Sequence, residues 1–149
     1  MLNQIELPKG FRLLHLPETG STNDDCLAKA QQGEPEGLVI VADAQSKGRG
    51  RQGRAWFSQS GNSLTFTVLL RPSALEQTYS ARFTALGGLA LVTCLKQDFG
   101  VPAQLKWPND VLINSRKTCG ILAETSWKGS QLEAVVLGMG VNILSGAVP

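Results

Sequence analysis

Residues 46–57 read Ser46-Lys47-Gly48-Arg49-Gly50-Arg51-Gln52-Gly53-Arg54-Ala55-Trp56-Phe57, or SKGRGRQGRAWF. They follow the apolar run Leu38-Val39-Ile40-Val41-Ala42, whose β-branched residues predict a strand from Leu38 to Asp43. The glycines satisfy G-x-G-x-x-G, the pattern of a strand turning into the phosphate-binding helix of a doubly wound dinucleotide fold. The next residues decide against that fold. RAWFSQSGNS makes a poor first helical turn, and arginines between the glycines obstruct close approach of backbone to a pyrophosphate. No Gly-Lys-Ser/Thr supplies a Walker loop either. The basic segment is therefore expected to be a loop reaching about Asn62.

Outward from this loop, the elements alternate in type. Ser21-Thr22-Asn23-Asp24-Asp25 offers N-cap side chains and early carboxylates, and Gly33 ends a helix expected from Thr22 to Gln32. Leu64 to Leu70 predicts a second strand, closed by Arg71-Pro72. Phe83, Leu86, Ala90, Cys94 and Leu95 recur at helical spacing within Tyr79 to Asp98. Gly87-Gly88 costs that helix about 2 kcal/mol of propensity against alanine, which predicts close approach to a sheet. The remainder reads as an antiparallel meander of strands at Gln104–Trp107, Asp110–Ile113, Thr118–Ser126 and Leu132–Ile143. The expected fold is α/β in the broad sense, of α+β type, with helices packed on a mixed, largely antiparallel sheet.

Composition bounds the function. A chain of 149 residues with 42% hydrophobic and 17% charged residues is one globular domain with a real core. Its net charge of +2 argues against wholesale nucleic-acid binding, so the local density of basic residues matters more. Cys26, Cys94 and Cys119 show neither metal-ligand spacing nor a disulfide framework; buried thiols in a reducing, cytoplasmic setting are expected. MLNQIELPKGF lacks the layout of a signal peptide, and nothing approaches the ~20 apolar residues of a membrane span. Leu16-Pro17-Glu18-Thr19-Gly20 spells a sortase signal by coincidence, since a folded domain follows it.

Glycines that admit positive φ and arginines that fork onto oxyanions make residues 46–54 an expected anion clamp. A solvated basic loop or an RNA-binding arginine-glycine segment competes with that reading; the latter needs a repeated tract, and here there is one unit. The neighbours favour the clamp. Trp56-Phe57 offers a flat face for a ligand ring. Lys106-Trp107-Pro108-Asn109-Asp110 presents a cation, an indole, an amide and a carboxylate at a strand end. Arg116-Lys117 follows a turn, and Gly138-Met139-Gly140-Val141-Asn142 places glycines inside a strand, where something must approach the backbone.

At these residues the chain resembles the catalytic domain of biotin–protein ligases. The likeness is carried by Ser21-Thr22-Asn23, Gln45 through Arg54 with Trp56, Lys106 through Asp110, Lys117 with Gly120-Ile121-Leu122 and Glu124, and Gly138 through Asn142. It departs slightly at Ser63, where relatives usually carry Asn. The resemblance implies a fold like that of biotin/lipoate ligases and class II synthetases. It also implies two-step chemistry, in which biotin and ATP give biotinyl-5′-AMP, and a lysine of a biotin carboxyl-carrier protein then displaces AMP. Arg49, Arg51, Lys106, Asp110 and Lys117 form the implied catalytic set, with Asp110 on magnesium or orienting the acceptor lysine. Ser21, Thr22 and Gln45 would read the ureido ring. Gly48 and Arg49 would line the valeryl chain and carboxylate, and Arg51 and Arg54 would guard the adenylate. Trp56 would lie beside adenine, Asn142 would face the nucleotide, and Asn23, Asn109, Lys117 and Gly120 complete the binding set. By the same resemblance, residues 1–149 are a catalytic domain incomplete at its C-terminal end, without a helix-turn-helix ahead of it or a β-barrel after it. A homodimer is allowed. A lipoate–protein ligase, or a binding module without turnover, is the alternative.

Overall fold

A computed structural model describes residues 5–79 and 82–147. Seven strands form one sheet in the order β1-β2-β3-β7-β6-β5-β4. They are β1 (Arg12–Thr19), β2 (Leu38–Gln45), β3 (Ser63–Leu70), β4 (Ala103–Lys106), β5 (Asp110–Ile113), β6 (Arg116–Lys128) and β7 (Gln131–Asn142). Only β1 runs parallel to its neighbour; the other pairings are antiparallel. The helices are α1 (Thr22–Gln31), the single turn α2 (Ala74–Gln77) and α3 (Phe83–Gln97). The mixed α+β class is as expected from the sequence.

Four expectations are corrected. First, β1 has no counterpart in the sequence reading. Pro17 disguises it, and is tolerated because β1 lies at the sheet's edge and pairs with β2 on either side of it, Leu16 with Ala42 and Glu18 with Ala44. Second, α3 begins at Phe83 and not Tyr79: Tyr79 N donates to Glu76 O at 2.9 Å and so closes the separate turn α2, which a Ser73–Glu76 capping box starts. Third, the loop from Gln45 to Asn62 is present as expected, but residues 48–56 within it are closed on themselves. Trp56 N donates to Gly48 O at 2.9 Å and Gly50 N to Arg54 O at 2.7 Å, closing a tight hairpin whose turn takes positive φ at Gln52 and Gly53. Fourth, Cys26 and Cys119 are buried as expected, but Cys94 is exposed on the outer side of α3.

Each face of the sheet buries its own apolar cluster. α1 covers one face, packing Cys26 and Ala30 against Ile40, Leu69, Ala134 and Val136. α3 covers the other, packing Val92 against Ile121, Leu137, Met139 and Val141. A fully buried aliphatic side chain such as Leu69 contributes about 1.5–3 kcal/mol. Gly87 and Gly88 do allow the close approach predicted. A Cβ on Gly87 would lie 2.9 Å from both Leu137 and Met139 side-chain atoms, and one on Gly88 2.5 Å from Leu105.

α1 spans only part of its face. On that face β7 presents Ala134, Val136, Gly138 and Gly140 in turn, paired with Thr67 at Gly138 and Thr65 at Gly140 on β3. The first two lie under the helix's apolar side, and the two glycines lie beyond it. The site begins there.

Candidate functional site

The first turn of α1 sets one wall. Ser21 occupies the N-cap position, yet its hydroxyl makes no capping bond, contrary to the sequence expectation. Gln45, from the end of β2, does that work: its Oε1 accepts from Thr22 N at 2.8 Å and Thr22 Oγ1 at 3.0 Å. An orphan helix N–H is thereby satisfied from another element, and the Ser21 hydroxyl is left to the cavity it lines.

Below this wall runs a buried polar chain. Thr67 Oγ1 lies 2.7 Å from Asn23 Oδ1 and 2.8 Å from Thr22 Oγ1. Asn23 Nδ2 donates to Glu124 Oε2 at 2.7 Å and to Leu122 O at 3.3 Å. The Asn23 side chain occupies the space a Cβ on Gly138 would need. Farther along, the Trp56 indole lies across the paired Gly120 and Gly140, again where side chains would stand. The strand glycines thus admit the protein's own side chains. Trp56 Nε1 is buried with no hydrogen-bond partner among the described residues, so it is a donor for whatever enters beside it.

Trp56, the first turn of α1, the 48–56 hairpin and the ends of β6 and β7 enclose a cavity of about 460 Å3. That is a usual size for a small-molecule site. Ser21, Thr22 and Gln45 give it a neutral polar end, and Arg51, Arg54 and Lys117 add cations. Lys117 Nζ lies 2.8 Å from Asp110 Oδ1, and 5.9 Å from the Trp56 ring centre. The ion pair is short but off the angle of a hydrogen bond, so that buried carboxylate oxygen still lacks a hydrogen-bond donor. Arg51 Nη1 donates to Asn109 Oδ1 at 3.3 Å. Asn109 is fixed in turn to β6, its O accepting from Ile121 N at 2.9 Å.

Of the residues singled out in the sequence, Ser21, Thr22, Asn23, Gln45, Arg49, Arg51, Arg54, Trp56, Asn109, Asp110, Lys117, Gly120 and Asn142 all line this cavity. Gly48 and Lys106 do not. Gly48 packs behind it against Gln45 and the Trp56 carbonyl, and Lys106 is exposed opposite Asp110 at the rim. Sequence reasoning gave no role to Asp24, Thr67 or Glu124. Glu124 does carry a signal: a carboxylate after the apolar run Ile121-Leu122-Ala123, on a strand whose faces are covered, must find a partner. Its partners are Asn23 and Arg49.

Asp24 and Glu124 hold Arg49 between them. Arg49 Nη1 and Nη2 reach the two Asp24 oxygens at 2.9 and 2.6 Å. Nε and Nη2 reach Glu124 at 2.9–3.2 Å. The hydrogen bond from Arg49 holds the Asp24 carboxyl below its ordinary range, and the two carboxylates hold the Arg49 guanidinium firmly charged. Burial pushes the Cys26 and Cys119 thiols up to about 12, so neither is a nucleophile near neutrality.

A mixed sheet carrying a cavity with a neutral polar end and added cations is suited to a small molecule bearing an anionic group. A sequence model of the biotin/lipoate A/B protein ligase family matches residues 16–142, and the chain belongs to that family. It is 37% identical over 135 residues to the bifunctional ligase/repressor BirA of Bacillus subtilis, covering 90% of this chain and 41% of that protein. It is 41% identical over 130 residues to the biotin–acetyl-CoA-carboxylase ligase of Paracoccus denitrificans, covering 86% and 53%. The biotin protein ligase of Aquifex aeolicus, solved in complex with biotin and ATP, superposes with a TM-score of 0.74 at 32% identity, over 92% of this chain and 54% of that one. The chain spans about half the length of the curated relatives it matches. Among the described residues no helix is long and apolar enough to cross a membrane.

Proposed function

We propose that this chain carries the biotin- and nucleotide-binding site of a biotin–protein ligase, which makes biotinyl-5′-AMP and passes biotin to a lysine of a carboxyl-carrier protein. The observation that carries the reading is the placement of Lys117, Arg51 and Arg54 around one cavity whose other wall is the neutral Ser21–Thr22–Gln45 cluster. Relatives named as biotin ligases, and a neighbour solved with biotin and ATP, support it.

In the first step a carboxylate oxygen of biotin attacks the α-phosphorus of ATP, and the bond to the departing pyrophosphate breaks. Two anions must meet. Like charges about 4 Å apart repel by about 4 kcal/mol at a protein-like dielectric, and the cations offset that cost. Gln45 Oε1 is committed to Thr22, so its amide nitrogen is the group left for the ureido carbonyl. Lys117 takes the biotin carboxylate, exchanging it for Asp110. Arg51 and Arg54 take the phosphates, and the Trp56 ring lies beside the adenine. In the second step the carrier amine attacks the acyl carbon and AMP leaves. No nucleophilic side chain is required.

Magnesium would enter with the nucleotide. The described residues hold no group of three or more metal-ligating side chains, and Asp110 is the carboxylate lining the cavity. Asp110 would help hold the ion beside the phosphates, where it would supply charge neutralisation. Titration calorimetry is expected to show biotin binding at least tenfold more tightly than lipoate, and pyrophosphate to appear on adding ATP, magnesium and biotin. Equal affinity for the two acids, or tighter lipoate binding, would move the chain to the other branch of its family.

A further inference from the structure

Arg49 has the sequence context of a ligand-gripping arginine and the contacts of something else. A guanidinium presents two edges to a carboxylate, Nε with Nη2 and Nη1 with Nη2. Glu124 occupies the first edge and Asp24 the second. An incoming carboxylate or phosphate therefore finds no free fork, and one cation already set between two carboxylates attracts no third anion. Arg51 is different, since its contact is the neutral amide of Asn109. Arg54 has no carboxylate partner among the described residues.

The anchors sit on rigid ground. Glu124 belongs to β6 and also accepts from Asn23, whose other side is fixed by Thr67 of β3. Asp24 belongs to the first turn of α1. Arg49 forms an isolated bridge with Ala55, so its side chain secures both arms of the hairpin at the stem. We infer that Asp24 and Glu124 are positioning residues that chelate Arg49 to hold the 48–56 hairpin over the cavity, leaving Arg51 and Arg54 at its far end to meet the ligand's anion.

The inference rests on the proposed function only for what the far end grips; the anchor itself acts without ligand. Amide exchange of the ligand-free chain separates the two. Glu124→Gln, Asp24→Asn and Arg49→Gln are expected to speed exchange at 48–56 on the order of tenfold, the worth of one charge-assisted bond, while β6 and β7 amides stay unchanged. Asp24→Glu keeps the charge and is expected to keep the protection. Asp24 is 57% exposed, so its variants test the anchor without disturbing the core. In the same variants biotin affinity is expected to fall equally for Arg49→Gln and Glu124→Gln, with the double variant no worse than either. The inference fails if exchange at 48–56 does not change, or if β6 and β7 accelerate with it. It also fails if Arg49→Gln weakens biotin tenfold more than Glu124→Gln, which is the signature of direct contact. An unmodified chain that binds no biotin would sink the ligase reading and leave the exchange result to judge the anchor.

Discussion

Lys117 and Arg51 reach the Lys106–Asp110 turn through different neighbours, a carboxylate and an amide, and that difference sorts their roles. Lys117 already faces a carboxylate, so it is suited to biotin's in both the ground and transition states. Lys117→Ala is expected to weaken biotin binding and slow adenylation together, each on the order of ten- to a hundred-fold. Arg51 stands on the hairpin, away from the Ser21–Gln45 end. Arg51→Gly is expected to release the adenylate about tenfold faster with biotin affinity little changed. Calorimetry and single-turnover kinetics on both variants check the pair, and the opposite pattern would reverse the placement. Such residues were legible because cations beside glycines have few purposes in a folded chain. Thr65 and Thr67 were not. In Thr65-Phe66-Thr67-Val68 the hydroxyls alternate as if facing water, yet both are buried, and Thr67 is bonded to the start of α1.

Among the elements, the two long helices and the inner strands were legible from periodicity to within a few residues, because hydrophobic spacing is local; the single turn α2 was not. The 48–56 hairpin was not, because what holds it is distant in sequence: Arg49 is 75 residues from Glu124. The glycines of β7 were legible as sites of close approach, but not what approaches. Gly140→Ala is expected to drive a methyl group into the Trp56 indole, costing about 1–3 kcal/mol by overpacking. Gly20→Ala, where a Cβ meets nothing within 4 Å, is expected to stay within about 0.5 kcal/mol. Urea unfolding of both variants at unchanged m-value measures the difference. Equal stability would mean that the indole does not rest on that strand.

Across the whole molecule, the mixed α+β class could be inferred from local patterns but the strand order could not, since it depends on pairings far apart in the chain. β7 is the clearest case. It lies between β3 and β6 and joins the half-sheet β1–β2–β3 to the half-sheet β6–β5–β4, yet it follows all six of those strands in sequence. A ribosome therefore delivers the keystone after everything it must join. Until residues 131–142 emerge, β3 and β6 each wait with a bare edge, a condition that invites pairing with other nascent chains. Stalled translation products ending at Lys128 are expected to be digested rapidly by protease. Protection is expected to arise in one step once Asn142 has cleared the exit tunnel, because β3 and β6 find their shared neighbour together. Gradual protection, growing from β1 onward, would mean that the N-terminal half-sheet folds alone.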